Sequence, residues 1–212
     1  MKIILLIFIA ILTESAPIQS QNDPQAIKVL DSFSSKASKA PSISMVFTMI
    51  TTDLTENSSD TLNGSIILNR DKYKLILGEN IVWYNGETNW NYLNAEKEVT
   101  ITRPDKKDHS FQNRPSEIFS MYKSGYKSRL IEEKADSYLI DLYPEDIKSD
   151  LIRVRLAIKK SDLNLISLEY KRSDGLVITL KISEYNLTQK PDPATFVFQT
   201  EKYKEVEIND MR

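Results

Sequence analysis

The residue types that most often carry catalysis are sparse in this chain. The sequence contains one histidine, no cysteine and only five glycines. It therefore offers no thiol nucleophile and no glycine-rich phosphate loop. His109 lies beside Lys106, Lys107 and Asp108, where it is best interpreted as a solvated loop residue, because a catalytic base would need partners. A single histidine also forms no metal-ligand cluster, so we expect no metal and no other cofactor.

The charges of the chain are nearly balanced. Twenty-eight basic and thirty acidic residues give a formal net charge of −2, and the two signs are interspersed. No basic stripe is present that could neutralise phosphates, so nucleic acid is not an expected partner. The many carboxylates leave an exported hydrolase with a serine or a carboxylate pair open as an alternative, but no spacing indicates one. We expect a binding protein and not an enzyme.

The first twenty residues have the three-part pattern of a cleavable signal peptide. Lys2 precedes an uncharged apolar run from Ile3 to Leu12, and residues 13–20 turn polar and end in small residues, so we place cleavage after Ser20. A bilayer-spanning helix needs about twenty apolar residues, which this run does not provide. We therefore expect an exported, soluble, single domain over residues 21–212, held without disulfides and without the lipidated cysteine of a bacterial lipoprotein.

The mature chain begins with one amphipathic helix. Asp23 and Pro24 are an N-cap and a first-turn proline, and apolar residues then recur at helical spacing. The helix is predicted to end before Pro41. From Ile43 the apolar period changes to two, which predicts a strand, and residues 53–60 are predicted to form a polar loop.

Most of the remaining chain is predicted to form short strands separated by turn signals. The series is interrupted by a polar stretch at 103–114 and by a short apolar helix from Pro115, closed by Gly125. About eleven strands in antiparallel order predict a mainly β (α+β) domain with a strongly curved sheet or an incomplete barrel. After the first strand, the predicted strands are 62–68, 73–77, 81–84, 89–93, 99–102, 128–131, 138–143, 151–159, 165–171, 176–185 and 195–199.

Several of these strands are apolar on both faces. Residues 66–68 and 81–84 are examples, and a sheet with one solvated face does not need this pattern. We expect the helix at 24–38 and the short helix at 115–123 to cover the concave side of the sheet. Such an arrangement suits either a sealed core or a lidded apolar cavity for a lipid.

Five segments, taken in their order and spacing, resemble the LolA family of periplasmic outer-membrane lipoprotein carriers. The most informative pattern is a strand followed by Arg70, a short gap and Tyr73, and then a glycine turn at Gly86 between two aromatic strands. The resemblance runs along nearly the whole mature chain. The five segments are 42–48, 64–75, 83–92, 115–119 and 192–198.

The resemblance implies a periplasmic carrier whose incomplete β-barrel and helical lid enclose a hydrophobic cavity for lipoprotein acyl chains. The implied partners are the lipoproteins, an inner-membrane ABC-transporter release complex, and an outer-membrane acceptor or the membrane itself; we expect a monomer. Because side chains alternate between the two faces of a strand, some of the candidate residues must point outward. The candidate cavity and lid residues are Phe47, Leu75, Leu77, Trp83, Trp90, Tyr92, Ile118, Phe119, Met121 and Tyr122.

Arg70 has a separate expected role as a lid latch. In the family that it resembles, a basic residue at the matching place hydrogen-bonds the lid backbone and helps to keep the empty cavity closed. A solvated turn arginine beside Asp71 is the alternative interpretation. For the whole protein, the alternative to a carrier is a lipid-sensing regulator of the same fold that transports nothing.

Overall fold

The computed structural model describes residues 22–104 and 114–212. The predicted signal peptide at 1–20 and the candidate base His109 lie outside these residues. Helix α1 spans Pro24–Lys39, and it begins where the sequence predicts, because the Asp23 carboxylate accepts the backbone N–H of Gln25 at 2.9 Å. It ends at Ala40, directly before Pro41. The apolar face of α1 is buried and consists of Ala26, Val29, Leu30, Phe33 and Ala37.

Twelve strands form one sheet that curls without closing. Its order is β12-β6-β5-β4-β3-β2-β1-β11-β10-β9-β8-β7, and every pair is antiparallel except β12 with β6. The strands are β1 (Ile43–Asp53), β2 (Ser58–Asn69), β3 (Lys72–Leu77), β4 (Asn80–Tyr84), β5 (Asn89–Leu93), β6 (Glu98–Thr102), β7 (Tyr126–Glu133), β8 (Ser137–Pro144), β9 (Leu151–Lys159), β10 (Leu165–Arg172), β11 (Leu176–Asn186) and β12 (Glu207–Asp210).

Strand β1 joins the two halves of the sheet. It pairs with β2 on one side and with β11 on the other, so the meander β2–β6 and the meander β7–β11 meet along it. The connection between β1 and β11 is the long-range contact that curls the sheet, since all the other antiparallel neighbours are consecutive in the chain. The predicted strongly curved, open antiparallel sheet is confirmed.

The sheet has an inner face, which is the face that packs against α1, and an outer face. Period two places Met45 and Phe47 of β1 on the inner face, where they join the main apolar core. Leu156, Leu168 and Leu180 continue this core across β9, β10 and β11. The main core is therefore a layer of side chains between one helix and one curved sheet.

The outer face of β8–β10 carries a buried ion pair instead of apolar cover. Asp141 is fully buried, and its carboxylate accepts Nε of Arg155 at 2.6 Å and Nη2 at 2.8 Å across the β8–β9 pairing. The Tyr143 hydroxyl donates to the same carboxylate at 3.0 Å. Such a pair is costly to break, because loss of one partner leaves the other charge buried.

The predicted secondary structure needs correction at four places. The strand predicted at 195–199 is wrong: Asp192 caps and Pro193 opens a 3-10 helix, Pro193–Phe196, because proline with a capping carboxylate favours a helical turn. Strand β12 was not predicted. Strand β2 begins at Ser58 inside the predicted polar loop, since its polar first half pairs with the end of β1. The helix predicted at 115–123 is two 3-10 helices, Pro115–Phe119 and Met121–Lys123.

Candidate functional site

The inner face is covered by α1 together with residues 115–123, which we call the lid segment. The rings of Phe33 on α1 and Phe119 in the lid segment lie with their centroids 5.2 Å apart. The Tyr122 hydroxyl donates a hydrogen bond to Oδ1 of Asp31, on the same helix, at 2.6 Å. One aromatic contact and one charge-assisted hydrogen bond therefore join the two parts of the cover.

Helix α1 is fixed to the sheet at both ends. At its start, the backbone N–H of Asp23 donates to the carbonyl of Ser128 at 3.0 Å, and Oδ2 of Asp23 accepts the N–H of Leu130 at 3.1 Å. Near its end, Nζ of Lys36 donates to Oδ1 of Asn164 at 2.9 Å and to the carbonyl of Asp162. These bonds attach α1 to strand β7 and to the β9–β10 turn.

The lid segment is a less regular part of the cover. It consists of two short 3-10 helices, whose hydrogen bonds are geometrically poorer than those of an α-helix. An ion pair between Arg114 and Glu117 at 3.1 Å, half-buried on both sides, closes its first turn. Short segments with few backbone bonds open at lower free energy than long helices do. The lid segment is therefore the weaker of the two covers.

We call the part of the inner face around Phe47 and Gly64 the floor. Strands β1 and β2 are in close contact there. The ring of Phe47 lies over Gly64, which is its direct partner in the β1–β2 pairing. A Cβ atom added at Gly64 would lie 2.7 Å from the Phe47 ring and 2.9 Å from the carbonyl oxygen of Ile76. Only glycine leaves room for the Phe47 ring at this place, so the floor is apolar there.

The cover does not extend over the whole inner face. Along β1 the inner residues Met45 and Phe47 are buried, whereas Met49 is only half-buried. Leu62 is the direct partner of Met49 across the β1–β2 pairing and is 44% exposed. Half-buried Leu77 lies on the next strand of the same face. We call this partly uncovered apolar region, formed by Met49, Leu62 and Leu77, the open end.

The buried polar groups of the inner face include one hydrogen-bonded pair and the Ser128 hydroxyl, which has no hydrogen-bond partner in residues 22–104 and 114–212. Nδ2 of Asn89 donates to the Tyr73 hydroxyl at 3.1 Å, and both side chains are buried. Burial raises the pKa of Tyr73 to about 12, although the bond from Asn89 opposes the shift. Burial, followed by the bond to Asp31, likewise raises the pKa of Tyr122 to about 12. Both phenols are therefore neutral at physiological pH, and the inner face can hold an apolar ligand.

The candidate cavity and lid residues divide between the two faces of the sheet. Seven lie in the main core or pack against it: Phe47, Leu75, Leu77, Ile118, Phe119, Met121 and Tyr122. The other three are Trp83, Trp90 and Tyr92, which lie in a second apolar cluster on the outer face. The structure does not bring these three together with the seven.

The strand register explains this division. Tyr73 lies opposite Tyr84 in the β3–β4 pairing, and the neighbouring pair, Lys74 with Trp83, points to the other face. Residues 193–206, which we call the C-terminal segment, cover this outer cluster. Phe198 and Tyr203 of the segment contact Trp83 with ring centroids 5.4 Å and 5.7 Å away.

Arg70 lies at the tip of the β2–β3 turn. It is exposed and its backbone is left-handed, with φ 58°. Asp71 is not ion-paired with it within the part of the chain that the structure describes; the Asp71 carboxylate instead faces Gly86, at 3.2 Å from a Cβ placed there. The latch role of Arg70 stays a prediction.

Two parts of this arrangement were missed by the sequence interpretation. Asp31 gives no signal in the sequence, because a carboxylate on an exposed helical turn is an ordinary surface residue, yet it holds the lid segment. Phe198 and Tyr203 were not assigned as cover for the outer face. The excess of apolar residues on β4 could have indicated this second cover.

Within residues 22–104 and 114–212, no group of three or more His, Cys, Asp or Glu side chains is arranged to hold a metal ion. In the same residues, no helix has the length and apolar character required to cross a membrane.

A curled, unclosed antiparallel sheet whose apolar inner face lies under a helix defines the fold class of this protein. The comparison of sequences agrees: the profile of the family described as outer membrane lipoprotein carrier protein LolA matches residues 17–173. This chain belongs to that family. Among curated protein sequences, none matches the chain.

Several solved structures are similar to this chain at low sequence identity, and the first of those given below shares its fold. An uncharacterized conserved protein from Thermus thermophilus is 12% identical, with 88% of this chain and 99% of that chain covered and a TM-score of 0.57. The MucA/MucB complex of Pseudomonas aeruginosa matches at 14% identity, with 84% and 62% covered and a TM-score of 0.48. LprF from Mycobacterium bovis matches at 9% identity, with 82% and 99% covered and a TM-score of 0.43.

Proposed function

We propose that this protein binds the acyl chains of lipoproteins between its inner face and its cover, and carries them between two membranes. The observation that carries the proposal is the combination of an apolar floor at Phe47 and Gly64, an apolar open end, and a weakly held lid segment. Acyl chains enter at the open end and displace the lid segment from the floor.

The energies are of the right size for reversible binding. Each buried methylene contributes about 0.8 kcal/mol. A hydrogen bond to a charged group, such as that from Tyr122 to Asp31, contributes about 1.5–3 kcal/mol. Burial of about four methylenes therefore offsets the loss of this bond. An empty, closed form and a loaded, open form can then be close in free energy.

The moving part of the cover is the lid segment and not α1. Four hydrogen bonds from Asp23 and Lys36 fix the two ends of the helix to the sheet, whereas the Tyr122–Asp31 bond and the ring contact of Phe119 join the lid segment to α1. Movement of the lid segment exposes Ile118, Phe119 and Met121 to the incoming chain. The same side chains then line the loaded cavity.

Family membership supports a cellular role for this binding. The mature domain over 21–212, exported and released by cleavage after Ser20, takes lipoproteins from an inner-membrane ABC-transporter release complex and delivers them to an outer-membrane acceptor or to the membrane itself. It works in the periplasm as a monomer and carries out no catalysis.

Binding is tested with cis-parinaric acid, a fluorescent fatty acid whose emission rises in an apolar site. Leu62→Glu places a charge at the open end and is expected to weaken binding at least about tenfold, which is 1.4 kcal/mol. The matched control is Val46→Glu, on the outer face of the same central pair of strands and 39% exposed. Equal binding by both variants would contradict entry at the open end.

The cellular role is tested by depletion of the protein. A carrier predicts outer-membrane lipoproteins retained in the inner membrane, together with acyl-bearing species that co-purify with the protein and are found by mass spectrometry. Normal sorting with an altered stress response would instead indicate a lipid-sensing regulator. A protein that is consistently empty when purified from its own envelope would contradict both roles.

Arg70→Leu tests the proposed latch separately. The exposed position of Arg70 makes a folding defect unexpected. A latch predicts that the variant accepts lipoproteins but passes fewer of them to the acceptor, while Lys72→Leu, exposed beside it at the start of β3, transfers normally. Unchanged transfer by Arg70→Leu would remove this residue from the mechanism and leave the cavity intact.

A further inference from the structure

A second cavity lies on the outer face of the sheet, apart from the inner face and its cover. Its volume is about 370 Å³, and it is bounded by strands β3 and β4 and by the C-terminal segment. A cavity of this size is within the range of small-molecule sites. Its main walls are Lys74 and Trp83 from the sheet and Val197, Lys202 and Tyr203 from the C-terminal segment.

Two ammonium groups converge on this outer cavity. Nζ of Lys74 lies 5.7 Å from the centroid of the Trp83 ring, and Lys202 lines the same space. Burial, and then the charge of Lys202, lower the pKa of Lys74. Neither lysine is ion-paired with an acidic side chain in residues 22–104 and 114–212. Lys74 and Lys202, which carry like charges, therefore line the same cavity beside Trp83.

The one acidic side chain of the cavity wall is already engaged. Asp192 accepts the backbone N–H of Ala194 at 2.8 Å and so begins the 3-10 helix that shapes the wall. The charges that line the cavity are Lys74, Lys202 and Asp192, which leaves an excess of one positive charge. The rest of the wall combines Trp83, Tyr203, Val197 and Ala194 with the polar residues Thr195 and Gln199.

We propose that the outer cavity binds a small organic anion, a carboxylate or a phosphate monoester on a flat apolar body. The anionic group lies between Lys74 and Lys202, where charge-assisted hydrogen bonds form with both. The flat body lies against Val197 and Tyr203, next to Trp83, where it replaces water. This site is separate from the acyl-chain site, because the sheet itself lies between the two.

The positions of the two tryptophans allow binding at the outer cavity to be followed by their fluorescence. The chain has two tryptophans, and Trp83 and Trp90 both belong to the outer cluster. Titration with benzoate and with phenyl phosphate is expected to quench this fluorescence saturably. Benzyl alcohol has the same ring without charge and is expected to bind at least about tenfold more weakly. Equal binding of benzyl alcohol, or no saturable binding by either anion, would overturn the proposal.

Variants locate the binding in the cavity. Lys74→Met and Lys202→Met keep the aliphatic stems, and each is expected to raise the Kd of the better anion at least about tenfold. The control is Lys181→Met, an exposed lysine on the outer face of β11. Unchanged affinity in both cavity variants, with unchanged circular dichroism spectra, would overturn the proposal. Parinarate binding is expected to stay normal in all three, so failure here is separable from failure of the acyl-chain site.

The source of the anion is resolved by a third probe. Dihexanoylphosphatidate, used below its micelle concentration, carries a lipid phosphate on short chains. Binding tighter than that of phenyl phosphate, and lost in Lys74→Met, supports a lipid headgroup as the ligand. Weaker binding than that of the free aromatic anions supports a soluble organic acid.

Discussion

The two apolar clusters of this protein lie on opposite faces of one sheet and are built from different residues. The inner cluster is largely aliphatic, with methionines at Met45, Met49 and Met121, and its cover is a helix and two short 3-10 helices. The outer cluster is a set of rings, in which Tyr203 lies 4.8 Å from Tyr92 and 5.0 Å from Phe198 between ring centroids.

The difference indicates two kinds of packing with two purposes. Flexible aliphatic and thioether side chains adapt to ligands of variable shape. Rings in fixed tilted and edge-to-face contacts favour one geometry. We infer that the inner cluster exchanges contacts among its own side chains for contacts with a ligand, whereas the outer cluster holds the C-terminal segment in place. Four substitutions test this comparison.

Phe33→Ala should have the largest effect on stability. Phe33 is almost fully buried between α1, the lid segment and the sheet. Its loss removes contacts on which the whole inner layer depends, and we expect the free energy of unfolding to fall by about 3–5 kcal/mol. Urea unfolding followed by circular dichroism measures this. A loss below about 1 kcal/mol would mean that α1 is not part of the main core.

Phe198→Ala should cost less and act locally. Phe198 contacts Trp83 from the C-terminal segment, which lies at the surface and can collapse into the space. We expect a loss of about 2–3 kcal/mol, at or below the low end of the range for buried phenylalanine. Tryptophan emission should move to the red, while parinarate binding should not change. Weakened parinarate binding would show that the two clusters are coupled.

Gly64→Ala tests the floor of the inner face. The new methyl group would meet the Phe47 ring at 2.7 Å and the Ile76 carbonyl oxygen at 2.9 Å, so the ring has to move into the ligand space. Overpacking of this kind costs about 1–3 kcal/mol. We also expect weaker parinarate binding. Gly125→Ala is a control without steric overlap, because no atom lies within 4 Å of a Cβ placed at Gly125. The φ of 76° at this position still adds backbone strain to that variant.

Tyr122→Phe should have the smallest effect, about 1.5 kcal/mol, at the low end of the range for a hydrogen bond to a charged group, because the Asp31 carboxylate that it frees is exposed and can be solvated. The same phenol makes stability depend on pH. Its pKa is raised from 10.0 to about 12 in the folded protein, so its neutral form stabilises the fold below pH 10, and this contribution is lost as the pH rises towards 12. Between pH 10 and pH 12, the free energy of unfolding should fall less steeply with pH in Tyr122→Phe than in the unchanged protein. An identical slope would contradict the assignment.

Local sequence signals predicted much of the fold. Asp23 and Pro24 gave the start of α1, and period two with turn signals gave the strands and their antiparallel order. The strand at 195–199 was wrong because Phe196 and Phe198 imitate period two in a segment that proline and a capping carboxylate turn into a 3-10 helix. In this segment the proline and the capping carboxylate outweigh the strand propensity.

The candidate site could be predicted only in part. Period two separates each strand into two sets of residues, but it does not say which set meets the helix. That choice depends on the long-range pairing of β1 with β11, which curls the sheet around one face. Trp83, Trp90 and Tyr92 were grouped with Phe47 for this reason, although they lie on the other face. The link between Asp31 and Tyr122 likewise joins residues far apart in the chain.

The central claim is that an acyl chain enters only when the lid segment separates from α1. Because the chain has no cysteine, Asp31→Cys with Tyr122→Cys can be joined by a short, reducible bis-thiosulfonate cross-linker. The matched control joins Lys36→Cys to Asn164→Cys, a contact that stays closed in this account. We predict that the first cross-link abolishes parinarate binding until it is reduced, while the control binds normally. Full binding by the cross-linked Asp31–Tyr122 pair would contradict the account.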